Sequence, residues 1–411
     1  LVVFMGDHGP DMLRGKRTCY EGGLRIPLLV RFPGRAPAGQ VRGELVSSID
    51  LVPTFLEAAG ASPIPGLGGR SLLPLLAGGS PPWRSTLFAE YHTHATAANC
   101  YPQRAARDAR YKLIENLLPG EVNPGVASTF REFDSGPAAV AGAGAAVQAA
   151  YRTMERPPRY ELYDLSNDPH EFRNLADDPA HAAARDTLAT ALDAWRRQTA
   201  DPLLDPVLVR RFNDEVTAVR TKAKAAKRRW QYAARGRVLP AAHCQQAVCG
   251  PSRASVLSGL RPDRTRVRHN RHRLRDALPD VVTLPQLFKE AGYLALGLGK
   301  VFSGDAREDD PASWSEPAVI RAPGWKNLVA RDGEGRKGPA TEAADVDDEA
   351  HADGRLATLA IETLERSQGR PFFLAVGFFP PPPLRRAAAL QGSPRSRRLR
   401  PRRRRPHRGG P

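Results

Sequence analysis

Apolar runs of four or five residues recur in the first 60 positions and are separated by polar segments. The runs at Val2–Met5 and Pro27–Arg31 have the length of strands, and the spacing near Asp50–Ala59 predicts a helix. The first run is uninterrupted and ends in polar residues. This is typical of a buried parallel strand that carries polar groups at its carboxyl end. The alternation of strands and helices predicts an α/β fold.

Later segments continue the alternation. Residues 179–199 have apolar side chains at helical spacing, with Leu188, Leu192 and Trp195 on one face. The Gly- and Ala-rich stretch at 136–150 predicts a loop or a frayed helix. The other predicted elements are helices at 215–232, 253–259, 284–291 and 352–366 and strands at 294–301 and 371–376.

The chain of 411 residues is long enough for a large core or two domains. Its formal net charge is +17, but residues 385–411 contain eleven Arg and no Asp or Glu, so most of the excess lies in this tail. The tail has too few apolar residues to offset the entropy of ordering, and we expect it to be disordered. Out-of-frame translation is the favoured interpretation. The alternative is an arginine-rich tail that binds nucleic acid or anionic glycan, although nucleic acid is not an expected partner.

No stretch reaches the ~18 consecutive apolar residues of a membrane span. The chain opens without a secretory signal or Met, so we expect its start to be a fragment boundary, and the compartment stays open. Four cysteines are too few for a disulfide scaffold. Cys19, Cys100 and Cys244 are predicted to be small buried apolar residues, with a redox pair of Cys244 and Cys249 as the alternative.

The sequence CGPSRASVLSG at residues 249–259 is the most specific chemical pattern. It resembles the maturation motif of type I sulfatases, C-x-P-S-R-x-x-x-L-T/S-G. The resemblance implies that a formylglycine-generating enzyme oxidises Cys249 to formylglycine, whose hydrated aldehyde attacks sulfur. It also implies that Arg253 holds the hydrate and neighbouring charge. The predicted helix would place Cys249 at a helix N-terminus, where free N–H groups favour an anion.

A second pattern, near the start of the chain, resembles another part of the same family. The sequence DHG at residues 7–9 is followed by GKRTCYEGGLRIP at residues 15–27, similar to the family pattern D-[HN]-G … G-K-x-x-x-Y-E-G-G-x-R-x-P. The resemblance implies that Lys16 contacts the substrate sulfate. Arg17 is the alternative contact, because the spacing leaves the register open by one residue.

The metal site implied by the resemblance is incomplete. Asp7, His8 and Cys249 would be ligands of Ca²⁺ or Mg²⁺, but the family's strand that ends in two adjacent Asp residues is missing before Cys249. Such a cation prefers about six or more oxygen ligands, so a single carboxylate predicts poor affinity. The missing strand also predicts unpaired sheet edges. The first candidates for replacement carboxylates are Asp305, Asp309 and Asp310.

Four further residues are assigned to the substrate side by the resemblance. Lys300 matches a family lysine that contacts the sulfate. Ser303 stands where the related motif has a His, so it can donate a hydrogen bond but cannot be charged near neutral pH. His92 and His94 fall in a substrate-side segment of sulfamidases, with a surface loop as the alternative interpretation.

The two patterns occur in reversed order. Residues 1–232 resemble the C-terminal half of a sulfamidase, an N-sulfoglucosamine sulfohydrolase. Residues 233–384 form the second predicted segment. Its residues 233 to about 378 resemble the N-terminal part of an iduronate-2-sulfatase. The resemblance implies an alkaline-phosphatase-like sulfatase sheet flanked by helices, permuted and incomplete. Because reordered pieces can still pack together, we expect Asp7 and Cys249 to lie close to each other.

The resemblance implies a parent activity, the hydrolysis of sulfate esters or sulfamates of glycosaminoglycan sugars, with this chain impaired or inactive. Two alternatives stay open. One is a non-catalytic protein that binds sulfated glycans through Lys16, Arg253 and Lys300, and the other is a gene-fusion artefact without function. Members of the family are often periplasmic, secreted or lysosomal.

Overall fold

The structure, a computed structural model, describes residues 1–10, 13–94, 100–132, 136–218, 237–238, 241–270, 272–302, 310–320 and 352–378. Within these ranges the strands are β1 (Val2–Met5), β2 (Leu28–Arg31), β3 (Val46–Ser47), β4 (Leu87–Tyr91), β5 (Gln103–Arg107), β6 (Tyr111–Asn116), β7 (Tyr160–Asp164), β8 (Arg237–Val238), β9 (Ala242–His243), β10 (Leu294–Gly299) and β11 (Phe372–Gly377). The α-helices are α1 (Glu21–Leu24), α2 (Leu51–Ala58), α3 (Leu73–Leu76), α4 (Pro124–Glu132), α5 (Gly136–Ala141), α6 (Ala145–Glu155), α7 (Ala182–Gln198), α8 (Pro206–Ala218), α9 (Cys249–Ser258), α10 (Pro262–Thr265), α11 (Leu274–Ala277), α12 (Leu284–Glu290) and α13 (Ala352–Arg366). Short 3₁₀ helices lie at Ser48–Asp50, Pro179–His181 and Pro311–Ser313.

The described strands form four sheets. Strands β4 to β7 make an antiparallel meander in sequence order, and β1, β2 and β8 form a three-stranded antiparallel sheet. The pairs β10–β11 and β3–β9 are parallel. Helix α13 lies between β10 and β11 in the chain, as expected because a parallel pair needs a crossover connection. The predicted α/β class is confirmed.

The prediction that Val2–Met5 is a buried parallel strand is wrong. Strand β1 pairs antiparallel with β2, and Val2 and Phe4 are 60% and 40% exposed. Among the described strands β1 is at the edge of its sheet, as expected if its neighbour is missing. An apolar run indicates a strand but does not specify which strand pairs with it, and an edge strand keeps one side open.

The stretch at 136–150, predicted as a loop or a frayed helix, forms α5 and the first part of α6. Ala is the strongest helix former, and Gly142 and Gly144 fall between the two helices rather than inside them. Ala150 and Met154 of α6 are buried, so packing also stabilises this helix.

Most other predicted elements are confirmed. Helix α7 buries Leu188 and Leu192 and packs Trp195 beside them, as its spacing predicts. Cys19, Cys100 and Cys244 are buried free thiols, as predicted, and Cys249 is also free. The other predicted elements that coincide with observed ones are α9, α12, α13, β10 and β11. Predicted features outside the described residues are the end of the 215–232 helix, Ser303, Asp305, Asp309 and the tail at 385–411. Within the described part of the chain, no helix is long and apolar enough to cross a membrane.

The segments on either side of the 232/233 boundary pack into common cores. Val46 and Leu51 share a buried cluster with Ala247 and Val248, and the pairs β2–β8 and β3–β9 cross the same boundary. A second shared cluster contains Val52, Leu56, Leu284 and Phe288. Since each buried apolar area stabilises both partners, the segments support each other. The domain boundary itself stays a prediction from the sequence.

Candidate active site

Helix α9 begins at Cys249, as predicted. Pro251 occupies the first turn, where the N–H that proline lacks would have no partner within the helix. The Gly250 N–H donates to Asn270 Oδ1 at 2.7 Å. At the other end Gly259 has a φ of 71°, the left-handed conformation that commonly ends helices. The motif therefore forms a helix with a defined start and end, and the candidate nucleophile lies in its first turn.

The loop after β1 brings Asp7 and His8 to Cys249. His8 Nε2 lies 3.0 Å from Cys249 Sγ, and His8 Nδ1 lies 2.7 Å from the Gly9 carbonyl oxygen. A carbonyl oxygen only accepts, so in the neutral ring Nδ1 carries the proton and Nε2 faces the thiol. The donor atoms of Asp7, His8 and Cys249 all lie within 4.8 Å of one another. The expected proximity of Asp7 and Cys249 is confirmed.

The loop that follows supplies a lysine to the same thiol. Lys16 is buried, and its Nζ donates to Cys249 Sγ at 3.6 Å. The backbone N–H of Arg17 donates to the Ala247 carbonyl at 3.1 Å, which ties this loop to the residues just before α9. Arg17 is also buried and has a φ of 77°. Of the two alternative sulfate contacts, Lys16 is thus seen to reach Cys249.

Close backbone packing explains the glycines around this lysine loop. A Cβ on Gly9 would lie 1.9 Å from the Gly22 carbonyl oxygen, and one on Gly23 would lie 2.4 Å from the Gly15 carbonyl oxygen. The Gly9 N–H donates to the Gly23 carbonyl at 2.8 Å. The DHG loop and the lysine loop therefore meet backbone to backbone, which fixes their separation.

The charges around Cys249 favour an anion at its side chain. Burial raises the pKa of the Cys249 thiol, but Lys16 and His8 outweigh burial and lower that pKa to about 5. Burial lowers the pKa of His8, but the negative charges of Asp7 and Cys249 raise it above its ordinary value. The site is built to hold negative charge at this position.

Arg253 links Asp7 to the end of β10. Its Nε donates to Asp7 Oδ2 at 3.1 Å, and its Nη1 donates to the carbonyl oxygens of Lys300 and Val301. Burial raises the pKa of Asp7, but surrounding positive charges hold it below its usual value. Those charges belong to His8, Arg253, Lys16 and Lys300. Both predicted lysines thus lie close enough to act on the carboxylate.

The two predicted histidines lie in different surroundings. His94 Nε2 lies 3.2 Å from Asn270 Nδ2, and burial together with the charges of Lys16 and Arg17 lowers the pKa of His94. His94 therefore lies close to the positive charges of Lys16 and Arg17. His92 follows β4 and is buried, so the surface-loop interpretation is wrong for it.

His92 belongs to a buried polar network. Its Nδ1 lies 3.3 Å from Gln246 Oε1, its Nε2 lies 3.1 Å from Arg104 Nη2, and Glu90 is 3.5 Å away. Arg104 in turn forms a bidentate ion pair with Asp201, at 2.7 and 2.9 Å. Burial and the charge of Arg104 hold the pKa of His92 well below its usual value. Such buried contacts are typical of a histidine with a structural role.

Sequence reasoning missed Asn270 and Glu21. Asn270 bridges the first turn of α9 and His94, but a single Asn in a loop leaves no spacing signal. Glu21 lies in the YEGG phrase, and its carboxylate lies within 3.3 Å of the side chains of Lys112, Arg107 and His243. The available signal for Glu21 was that a charged residue directly precedes two glycines in the YEGG sequence.

Two family models match the chain. Residues 6–121 match the model described as N-sulphoglucosamine sulphohydrolase, C-terminal, and residues 217–380 match the model described as Sulfatase. Both segments are therefore similar to sulfatases. The segment similar to the C-terminal sulphohydrolase model precedes the segment similar to the Sulfatase model, which contains the CGPSR sequence.

Individual relatives also match parts of the chain. Human N-sulphoglucosamine sulphohydrolase is 33% identical over 217 residues, which cover 49% of this chain and 42% of the relative. Human iduronate 2-sulfatase is 37% identical over 152 residues, which cover 34% of this chain and 28% of the relative. The solved phosphonate monoester hydrolase of Agrobacterium radiobacter is 26% identical, with 48% of this chain and 35% of that chain covered and a TM-score of 0.35. The chain spans less than half the length of the two curated relatives, N-sulphoglucosamine sulphohydrolase and iduronate 2-sulfatase.

Sulfatases generally use a divalent cation and a formylglycine residue. Among the described residues, the cluster that could hold a cation is Asp7, His8 and Cys249, with one oxygen, one nitrogen and one sulfur donor. Ca²⁺ takes about six to eight oxygen ligands and Mg²⁺ demands octahedral geometry, so these donors do not fit either ion. Asp310 pairs with Arg275 at 3.0 Å and is not part of this cluster, so the structure does not support it as a replacement ligand.

Proposed function

We propose that this chain carries a sulfate-binding site derived from a hydrolase of sulfate esters or sulfamates, and that its own turnover is weak. The observation that carries the proposal is the approach of His8 Nε2 and Lys16 Nζ to Cys249 Sγ, at 3.0 and 3.6 Å, across more than 230 positions of sequence. The matches of the two segments to sulfatase family models support the same interpretation.

The residues around Cys249 have the chemistry to bind a sulfate group. Lys16 and Lys300 offer ammonium charges, and the first turn of α9 adds backbone N–H groups and the positive end of the helix dipole. His8 Nε2 is placed to hold the proton of an oxygen at the Sγ position. When Cys249 is converted to formylglycine, the hydrated aldehyde supplies the nucleophile.

Weak turnover follows from the donor set. Asp7 is the one carboxylate in the cluster, and Arg253 already occupies its Oδ2. A sulfatase cation that stabilises charge on sulfate oxygens would be loosely held here. Lys16, Lys300 and the α9 N-terminus therefore provide most of the anion stabilisation, which favours sulfate binding over fast hydrolysis.

We infer the substrate class from the two relatives. The names of these two enzymes point to N-sulfoglucosamine and to 2-sulfated iduronate, both sulfated sugars of glycosaminoglycans. A formylglycine-generating enzyme is the partner that conversion of Cys249 requires. The positive charges around Asp7 favour binding of an anionic sugar, but they do not by themselves distinguish the two sugars.

The test is turnover of a chromogenic aryl sulfate by the full chain after co-expression with a formylglycine-generating enzyme. The mass of the peptide that contains residue 249 first establishes conversion. We expect slow hydrolysis above that of Cys249→Ala, which cannot be converted. A fully converted chain with no turnover above this control would exclude hydrolysis.

The second candidate is a non-catalytic protein that binds sulfated glycans, favoured by four positive groups around one carboxylate. Calorimetry with a sulfated monosaccharide tests it, since so small a ligand does not report general attraction to a basic chain. Lys16→Gln should weaken binding about tenfold or more, whereas the matched charge change Lys289→Gln on α12 should not. If the chain shows neither turnover nor binding, a gene-fusion artefact without function is the remaining interpretation.

A further inference from the structure

We propose that, while residue 249 is still cysteine, Asp7, His8 and Cys249 form a binding site for one zinc ion or a similar borderline transition metal. The inference goes beyond the proposed sulfate chemistry, because it concerns the chain before conversion to formylglycine. The observation is the convergence of a carboxylate, an imidazole and a thiol within 4.8 Å.

The donor atoms match zinc better than calcium. Zinc accepts thiolate, imidazole and carboxylate ligands together, and sites with three protein ligands leave a fourth position open. In a tetrahedral zinc site the donor atoms lie roughly 3.3 to 3.6 Å apart. His8 Nε2 lies 3.0 Å from Cys249 Sγ and 3.7 Å from Asp7 Oδ2. Shifts of up to about half an ångström would bring both distances to the zinc values, and the donor atoms of Asp7 and Cys249, which lie within 4.8 Å, would approach each other.

The surroundings already orient the ligands. The Gly9 carbonyl accepts from His8 Nδ1 at 2.7 Å, which fixes the tautomer whose Nε2 lone pair faces the cluster. Ser252 Oγ donates to the Asp7 carbonyl oxygen at 2.5 Å and holds the Asp7 backbone on the first turn of α9. A histidine oriented through its second nitrogen is a usual feature of zinc sites. The cluster therefore has oriented ligands as well as suitable donors.

Two cations compete with the metal for these donors. Lys16 Nζ lies 3.6 Å from Cys249 Sγ, and Arg253 Nε lies 3.1 Å from Asp7 Oδ2. Asp7 Oδ2 has a second lone pair, so this oxygen can bind metal while Arg253 keeps its contact. Lys16 opposes an ion beside the thiolate directly. Loss of Lys16 should therefore strengthen zinc binding and weaken sulfate binding, two effects of opposite sign.

The test uses the full chain without a histidine tag, expressed in a host that lacks a formylglycine-generating enzyme. Co²⁺ reports a thiolate ligand through its charge-transfer absorption, and Zn²⁺ affinity is measured by competition with a chromogenic chelator. We expect one ion per chain and a thiolate-to-cobalt band. The band should be lost in Cys249→Ser and retained in Cys100→Ser, which removes another buried thiol.

Variants of the neighbours make the assignment specific. His8→Gln should lower zinc affinity about tenfold or more, and Lys16→Gln should raise it about tenfold. Zn²⁺ should also slow alkylation of the peptide that contains Cys249, with reversal by a chelator. Circular dichroism of each variant separates loss of a ligand from loss of folding.

A cobalt band that survives in folded Cys249→Ser, or no ion bound by the folded parent chain, would overturn the proposal. Equal affinity for Ca²⁺ and Zn²⁺ would also overturn it. None of these outcomes bears on the sulfate site, because sulfate binding and turnover are measured on the converted chain, which has no thiol at residue 249.

Discussion

At the scale of single residues, the site is an arrangement of contacts on Cys249. His8 and Lys16 reach its sulfur, and Asn270 binds the N–H of the next residue in α9. Two residues therefore contact the sulfur, and the third fixes the turn of α9 that carries it. Asn270 is a positioning residue in this arrangement, since it contacts Gly250 and His94 rather than the sulfur.

Asn270→Ala should destabilise the chain by about 1 kcal/mol, because the Gly250 N–H loses its acceptor at the buried start of α9. Asn270→Asp keeps that acceptor and should retain most of the stability. It adds a negative charge beside the anion site, so it should weaken binding of a sulfated monosaccharide. Denaturant unfolding and calorimetry measure the two effects, and equal stability loss in both variants would contradict the assignment.

At the scale of elements, α9 is fixed at both ends by glycines. Gly250 packs against the loop that contains Asn270, since an added Cβ would lie 2.9 Å from the His269 carbonyl oxygen. Gly259 ends the helix with a positive φ and packs against α2, where a Cβ would lie 3.1 Å from Val52 Cβ. The C-terminus of α9, the helix that positions Cys249, therefore packs against residues that precede the 232/233 boundary.

Gly259→Ala and Gly60→Ala form a matched pair that separates conformation from packing. Both glycines have a φ near 70°, but an added Cβ at Gly60 meets nothing within 4 Å, whereas at Gly259 it lies 2.8 Å from Leu67 Cδ2. We expect Gly60→Ala to lower the free energy of unfolding by about 1 kcal/mol and Gly259→Ala to lower it by more. Equal losses in denaturant unfolding would contradict tight packing at Gly259.

The network of β4 and β5 predicts a pH effect on stability. Burial raises the pKa of Glu90, the charge of Arg104 partly opposes this, and the resulting pKa is about 7 against an ordinary value of 4.5. Between these values the folded chain holds a proton that the unfolded chain releases. The contribution of Glu90 to stability is therefore full below about pH 4.5 and is lost as the pH rises through about 7.

Glu90→Gln removes this titration, so it should lose less stability than the parent chain as the pH rises from about 5 to about 7.5. Urea unfolding at a series of pH values measures the difference. Identical pH slopes in the two proteins would show that Glu90 titrates normally.

The sequence predicts elements and motif residues better than it predicts pairing. The helices of the second segment follow from spacing and turn chemistry, and Cys249, Asp7, His8 and Lys16 follow from motifs. The antiparallel pairing of β1 does not, because an apolar run does not specify its neighbour. The roles of Asn270 and the buried network of His92 also lie beyond the sequence, because hydrogen bonds between distant single residues leave no periodic pattern.

At the scale of the whole molecule, strand pairs, shared cores and the contact of Glu21 with His243 join the two segments. Glu21 comes from the first segment and His243 from the second, and their side chains lie 3.3 Å apart. The shared cores and the pair of Glu21 and His243 are complete only when both segments are present. We therefore expect the two segments to unfold as one cooperative unit.

Hydrogen exchange at increasing urea concentration tests this cooperativity. Amides of β6, in the first segment, and of β10, in the second, should lose protection at the same urea concentration. Val248→Ala should lower both midpoints together, because Val248 lies in the shared core. Separate midpoints for the two strands would show that the segments unfold independently.

The distance in sequence between His8 and Cys249, 241 positions, also has a consequence for synthesis. Contacts of such high contact order form slowly, because a long stretch of chain must be ordered before they are made. Translation places residues 1–232 before the motif, so the residues that bury Cys249 already exist when it emerges. Cys249 is only 8% exposed once folded, so the proposed conversion requires the modifying enzyme to reach it before the earlier segment packs around it. If Cys249 is converted as proposed, the order of the segments makes folding compete with maturation.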